Sequence, residues 1–215
     1  MTGHMATARR RKLHEQMMGE VLAGIVDGEY PEGSRLPKET DLAERHDVSR
    51  YVARECIQAL RDRGVLAVKH GVGATIQPRD GWHLFDPVLL EAMLAGPERD
   101  DVAAQVAECR RIVWPEIAAV AAERRTGAQL AVLEDAVEDE AAFRDVLLEA
   151  AGNRFLRQVL TALDAGEGEP DARPGRGAAR RSARRARAEP LGPLLAAISA
   201  RDAEGSRLLM RRRLA

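Results

Sequence analysis

The chain has 215 residues, enough for two domains of ordinary size, and 45% of them are hydrophobic while only 3% are aromatic. A core built from Leu, Val, Ala and Ile suits helices more than sheets. The net charge of -1 excludes a uniformly basic nucleic-acid binder or membrane-surface protein, so any contact with DNA has to come from a local patch. No apolar run of about 18 residues occurs, and the N-terminus has no signal-peptide core, which points to a soluble, cytoplasmic protein. Cys56 and Cys109 stand at apolar positions of helical patterns, without metal-ligand spacing, and read as two buried thiols in a reducing compartment.

Residues 1–11 read as a disordered basic arm, with the run Arg9-Arg10-Arg11-Lys12 leading into the next domain, and the arm either follows DNA phosphates or is simply solvated. A helix is expected from about Leu13 to Asp27, with Leu13, Met17, Val21, Leu22 and Ile25 as its core stripe and Gly28 ending it. Leu42 and Ala43 give Lys38 to Arg45 an apolar side, and Val52, Cys56, Ala59 and Leu60 share one face of the next helical pattern. Between them, Asp47 tolerates a left-handed backbone and Ser49 is a good N-cap, so a tight turn is expected. This is a helix-turn-helix pattern. Arg50 and Arg54 lie four residues apart near the start of the second helix, where an arginine fork can pair bidentately with guanine in the major groove. The alternative is that both arginines form surface ion pairs with Glu55 or with acids of the preceding helix.

Gly64 is a C-cap candidate, and Val65-Leu66-Ala67-Val68 and Gly73-Ala74-Thr75-Ile76 read as two short strands. His70 and Gly71 form the tip between them, and a cationic tip is suited to a narrow minor groove. Residues 12–78 are therefore expected to form a winged helix-turn-helix domain, 79–85 a polar linker, and 86–215 a helical domain. In that last part, Asp86-Pro87 should cap a helix to about Leu94. A long helix over Asp100 to Arg125 should carry Val102, Val106, Cys109, Ile112, Val113, Ile117, Val120 and Ala121 on its apolar stripe, kinked at Pro115. Thr126 and Gln129 have capping-box spacing for a helix to about Glu138. Glu140 to Ala151 forms the next, and Phe155, Leu156, Val159, Leu160 and Leu163 carry another. Residues 165–189, rich in Gly and Pro and then in Arg, read as a mobile linker or frayed helix. The fold class is mainly α: an N-terminal winged helix-turn-helix with a small β-wing, and a C-terminal antiparallel helical bundle.

Gly28, Tyr30, Gly33, Leu36, Pro37, Glu39, Leu42, Ala43, Val48, Ser49, Arg50, Arg54, Glu55 and Ile57 stand in the register of a known signature. On these residues the chain resembles the GntR family of bacterial transcription regulators. Lys38 stands where a capping serine is usual, Thr40 where a DNA-touching arginine is usual, and Tyr51-Val52-Ala53 where Thr-Pro-Val is common. The resemblance implies DNA contacts from Thr40, Ser49, Arg50, Arg54, His70 and Gly71. The second part, through Arg110, Phe143, Leu147, Glu149, Ala150, Gly152, Asn153 and Ala197-Ile198 with Asp202-Ala203, resembles the effector-binding bundle of the FadR subgroup.

That resemblance implies a homodimer on an inverted-repeat operator in double-stranded DNA, with effector residues Arg110, Glu140, Arg144 and Asn153. Many members of the subgroup hold a divalent metal through an acid and three histidines. Here the acid is Glu140, but the histidine positions are Arg144, Leu191 and Arg213, so a metal-free pocket without cofactor is implied. A small anionic effector is the natural partner if Arg110 and Arg144 point inward. The alternative is that the arginines are solvated, the simpler expectation for Arg213. A regulator that dimerises and binds DNA without sensing a ligand is a rival. An enzyme on a helical bundle is another, but no polar constellation suited to catalysis recurs at a sensible spacing.

Overall fold

The computed structural model describes residues 2–69, 71, 73–165 and 190–214. His70 and the stretch 166–189, on which two of the expectations above rest, lie outside the described residues. The chain divides into two compact units, Met1–Asp100 and Asp101–Ala215.

In the first unit, α1 (Thr2–Val26), α2 (Glu39–Arg45) and α3 (Arg50–Asp62) pack around an aliphatic core, followed by β1 (Leu66–Lys69) and β2 (Gly73–Ile76). Helix α1 begins at Thr2, where a disordered arm was expected; Ala, Arg and Lys are good helix formers and no proline interrupts them. Met17, Val21, Leu22 and Ile25 are buried as expected, and they meet buried Leu42, Val52, Cys56 and Leu60 from α2 and α3. His46, at the end of α2, reaches back to α1, where its Nδ1 lies 2.7 Å from Glu20 Oε2. The Glu20 carboxyl is held below its ordinary range, first by the hydrogen bond from Gln16 and then by that from His46.

The strands form an antiparallel hairpin with Leu66 opposite Ile76 and Lys69 opposite Gly73, and Arg35 adds a single bridge to Thr75. Gly64, at φ +76°, leads from α3 into the hairpin, and a Cβ there would sit 2.3 Å from the Gly81 carbonyl oxygen. Glycine is therefore required twice over, for backbone sign and for close approach.

Residues 79–85, expected as a linker, are instead docked on this unit. Buried Trp82 donates its Nε1–H to the Gln77 carbonyl (2.9 Å), and the His83 amide donates to the Arg63 carbonyl (2.9 Å). Asp86 caps α4 (Pro87–Ala95) through the Val88 and Leu89 amides and pairs with Arg63 at 3.0 Å. Helix α4 packs against α1, so the division falls at 100/101 rather than at the expected 85/86. Its apolar stripe of Leu89, Leu90, Met93 and Leu94 is buried within this arrangement.

The second unit contains α5 (Arg99–Arg124, entered from the first unit), α6 (Gly127–Asp135), α7 (Glu140–Ala151), α8 (Arg154–Ala165), α9 (Leu191–Ser199) and α10 (Ala203–Arg213). The Thr126–Gln129 capping box is present, but α6 ends at Asp135, three residues early, because Asp139 is already capping α7 through the Ala141 and Ala142 amides. Trp114, Ile117, Leu133, Phe143, Leu147, Leu160 and Ile198 form the centre of the core. Arg125 donates to the Ile198 and Ser199 carbonyls at the end of α9, and Arg201 donates in return to the Glu123 and Arg125 carbonyls at the end of α5. Orphan carbonyls of two helix ends are thus satisfied reciprocally.

Three side chains depart from the expected stripes. Cys109 is exposed, as are Ile112 (64%) and Phe155 (75%). The buried face of α5 is set by Arg110, Trp114, Ile117, Ala118 and Ala121, and Ile112 lies about 200° round the helix from Arg110. Cys56, by contrast, is fully buried, and burial pushes its thiol up to about 12 against a smaller opposing pull from Arg63. A disulfide-exchange reagent at about pH 8 should therefore modify Cys109 in the native chain and reach Cys56 only after denaturant is added. Rapid reaction of both native thiols would contradict this burial pattern.

Candidate nucleic-acid interface

The start of α3 is defined by its cap. Ser49 has extended backbone angles and its Oγ accepts from the Val52 amide at 3.3 Å, as expected. Asp47 takes the left-handed conformation at φ +49°, and the Val48 amide donates back to the Ala43 carbonyl, closing the turn. From that cap, Val52, Ala53, Cys56, Ile57 and Leu60 face the core. Arg50 and Arg54 are left exposed on the other side. Tyr51, between them, is 56% exposed.

Arg54 also lines an open groove of about 600 Å³ beside α1, together with Arg11, His14, Tyr51, Gln58 and Asp62. The Arg11 guanidinium is engaged by Glu15 at 2.8 Å along the same helix. Sequence reasoning did not single out Tyr51 as part of this face; its place beside Arg50, away from the apolar positions of α3, was the available signal. Thr40 is half-buried on α2, its hydroxyl donating to Asp41 (2.9 Å). Gly71 adopts φ +75° at the tip of the hairpin. Thr40, Ser49, Arg50 and Arg54 all belong to the helix-turn-helix, with Gly71 on the hairpin that follows it.

The four residues expected at an effector site do not act as one group. Arg110 is buried and ties α5 to α8, with Nε 3.0 Å from Asp164 Oδ1 and Nη2 donating to the Leu163 carbonyl. Asn153 caps α8, accepting from the Phe155 and Leu156 amides. Glu140 and Arg144 do meet, at 2.7 Å on α7, and Arg213 joins them from α10 at 3.0 Å. Arg213 was expected to be solvated, yet its side chain is only 9% exposed.

Residues 13–76 match the model of the bacterial regulatory proteins, gntR family. The galactonate operon transcriptional repressor of Escherichia coli (strain K12) is 31% identical over 153 residues, covering 65% of this chain and 67% of that protein. The chain belongs to the GntR family. A second relative, the uncharacterized HTH-type transcriptional regulator Rv0494 of Mycobacterium tuberculosis, is 34% identical over 119 residues, or 54% of this chain and 47% of its own. The matched part thus spans between about half and two thirds of these relatives. Among solved structures, Streptococcus agalactiae GntR aligns over 94% of this chain and 97% of its own, at 24% identity and a TM-score of 0.44.

As a GntR-family chain, this protein is a DNA-binding transcription regulator with the winged helix-turn-helix in its first unit. Replacing Arg54 by Ala should lower affinity for a selected operator by about 1–3 kcal/mol, the value of a bidentate guanine pairing, and leave the melting temperature unchanged. Binding to the operator and to scrambled DNA is compared for both proteins. An unchanged ratio would remove Arg54 from base reading.

Proposed function

We propose that this protein acts as a homodimer on an inverted-repeat operator and that its second unit controls operator affinity through a small anionic effector. The observation that carries the DNA half of the proposal is the capped start of α3, with Arg50 and Arg54 exposed and the opposite face of the helix buried. A recognition helix meets base edges with its N-terminal residues, and an exposed guanidinium pair four residues apart on that end is suited to guanines. Ser49, Thr40 and Gly71, with the neighbouring His70, would add backbone and minor-groove contacts around it.

Two-fold symmetry in the protein demands two-fold symmetry in the site, which is the reason for an inverted repeat. Control follows as a population shift. An effector that prefers one arrangement of the two DNA-binding units lowers the population of the arrangement matching the operator, and can shift it only by its differential affinity. Support for an anionic effector comes from the arginines brought into the helical unit, Arg144 and Arg213 on Glu140. Nothing in this mechanism asks for a bond-making step.

Selection of bound fragments from a random DNA pool, followed by footprinting, tests the operator. The expected outcome is a short inverted repeat protected symmetrically over both halves. A single asymmetric half-site occupied by one subunit would overturn the dimeric reading.

A further inference from the structure

The sequence departs from the family signature at Tyr51-Val52-Ala53, and the fold separates these three residues. Val52 and Ala53 are buried, at 3% and 0% exposure, and belong to the inner face of α3, whereas Tyr51 is 56% exposed. Taking about 100° of turn per residue, Tyr51 lies about 170° round the helix from the middle of the buried set Val52, Ala53, Cys56, Ile57 and Leu60, Arg54 about 130° and Arg50 about 90°. Of these three outward residues, the tyrosine points most directly away from the core. It also stands two residues after the Ser49 cap, in the first turn, the end of a recognition helix that meets base edges. Tyr51 and Arg54 line the same open groove and are reached from one side.

We propose that Tyr51 is a specificity-determining residue that reads the 5-methyl group of a thymine in the operator, beside the guanine read by Arg54. This inference rests on the reading of α3 as the helix that enters the major groove. Every base presents hydrogen-bond donors or acceptors in that groove, and thymine alone adds an apolar group. An aromatic ring laid on the methyl buries apolar surface on both sides of the contact. Laid on cytosine or adenine, the same ring carbons would cover an amino group that they cannot accept from, and a desolvated donor without a partner is costly. The ring carbons, not the hydroxyl, carry this discrimination, so it holds whatever the phenol oxygen binds.

The spacing on the helix sets the spacing on the DNA. Arg54 stands three residues after Tyr51, about 4.5 Å further along the axis and about 60° round it, against a step of about 3.4 Å between base pairs, so the thymine lies about one or two base pairs from the guanine. Arg54 then supplies a charged fork and Tyr51 an apolar plate, and the two select different bases on one groove floor.

The test uses the full-length protein and an operator selected from a random DNA pool. Each thymine is replaced in turn by deoxyuridine, which removes the methyl group and leaves base pairing intact. At one thymine in each half-site, about one or two base pairs from a guanine that Arg54 contacts, the replacement should weaken binding about fourfold, the scale of one buried methyl group. Y51A should bind the thymine and deoxyuridine operators equally and keep the wild-type melting temperature. Y51F keeps the ring and should discriminate as the wild type does, while R54A should bind more weakly and retain the thymine preference. Equal binding of both operators by the wild type at every position, an unchanged preference in Y51A, or a preference lost in Y51F would overturn the role of the tyrosine ring. Binding to scrambled DNA is measured for the same variants. If R54A alone lowers the ratio of operator to scrambled binding, α3 remains the reading helix and only the inference about Tyr51 falls; if neither R54A nor Y51A changes that ratio, the reading of α3 falls with it.

Discussion

Ser49 accepts from the Val52 amide at 3.3 Å, and Asp47 two residues earlier holds φ +49°; these two residues fix where α3 begins and in which direction it runs. Capping a helix with Ser rather than Ala is worth about 1 kcal/mol, and here it also decides which residues form the first turn. If the start moved by one position, the buried set of Val52, Cys56 and Leu60 would rotate out of the core and carry Arg50 and Arg54 with it. In the proposed reading, the same helix therefore couples stability to recognition. Its inner face cannot be packed well without its outer face being presented. His46, bound to Glu20 of α1 at 2.7 Å, ties the turn to the longest helix of the unit and so helps hold this orientation.

Much of the first unit was legible in the sequence because its signals are local. Ser49, Asp47 and Gly64 each specify a backbone state within a few residues, and the two short strands after Gly64 pair as a hairpin. Local signals also marked the Thr126 capping box and the helix over Glu140 to Ala151, which Gly152 follows at φ +65°. What was not legible depends on distant partners. The α5 stripe was misassigned at Cys109 and Ile112 because an arginine takes the core position. Arg110 is buried where Asp164 and the Leu163 carbonyl, some fifty residues on, receive it. The docking of residues 79–85 depends on Trp82 meeting Gln77 and on His83 meeting Arg63, which no periodicity reports. Likewise, the apolar stripe of α4 announces burial but not which core it joins.

The candidate residues divide along the same line. Ser49, Arg50 and Arg54 could be placed from spacing alone, since a helix face follows from its own sequence. Of the effector residues, Asn153 proved to be a cap and Arg110 an interhelical tie, roles that use the same chemistry of charge and hydrogen bonding without a ligand. Arg213 was undervalued because a basic residue in the last turn of a helix is ordinarily a solvated partner of the helix dipole. Its carboxylate lies on another helix more than seventy positions away, and that pairing turns three separate sequence positions into one cluster.

The central claim is that the start of α3 reads guanines from the major groove, and methylation interference on a selected operator tests it most directly. Dimethyl sulfate places a methyl group on guanine N7, the acceptor that an arginine fork uses together with O6. The account predicts that methylated guanines are excluded from the bound fraction in each half-site, and that R54A loses part of this exclusion. Binding indifferent to N7 methylation at every guanine, or exclusion unchanged in R54A, would contradict it.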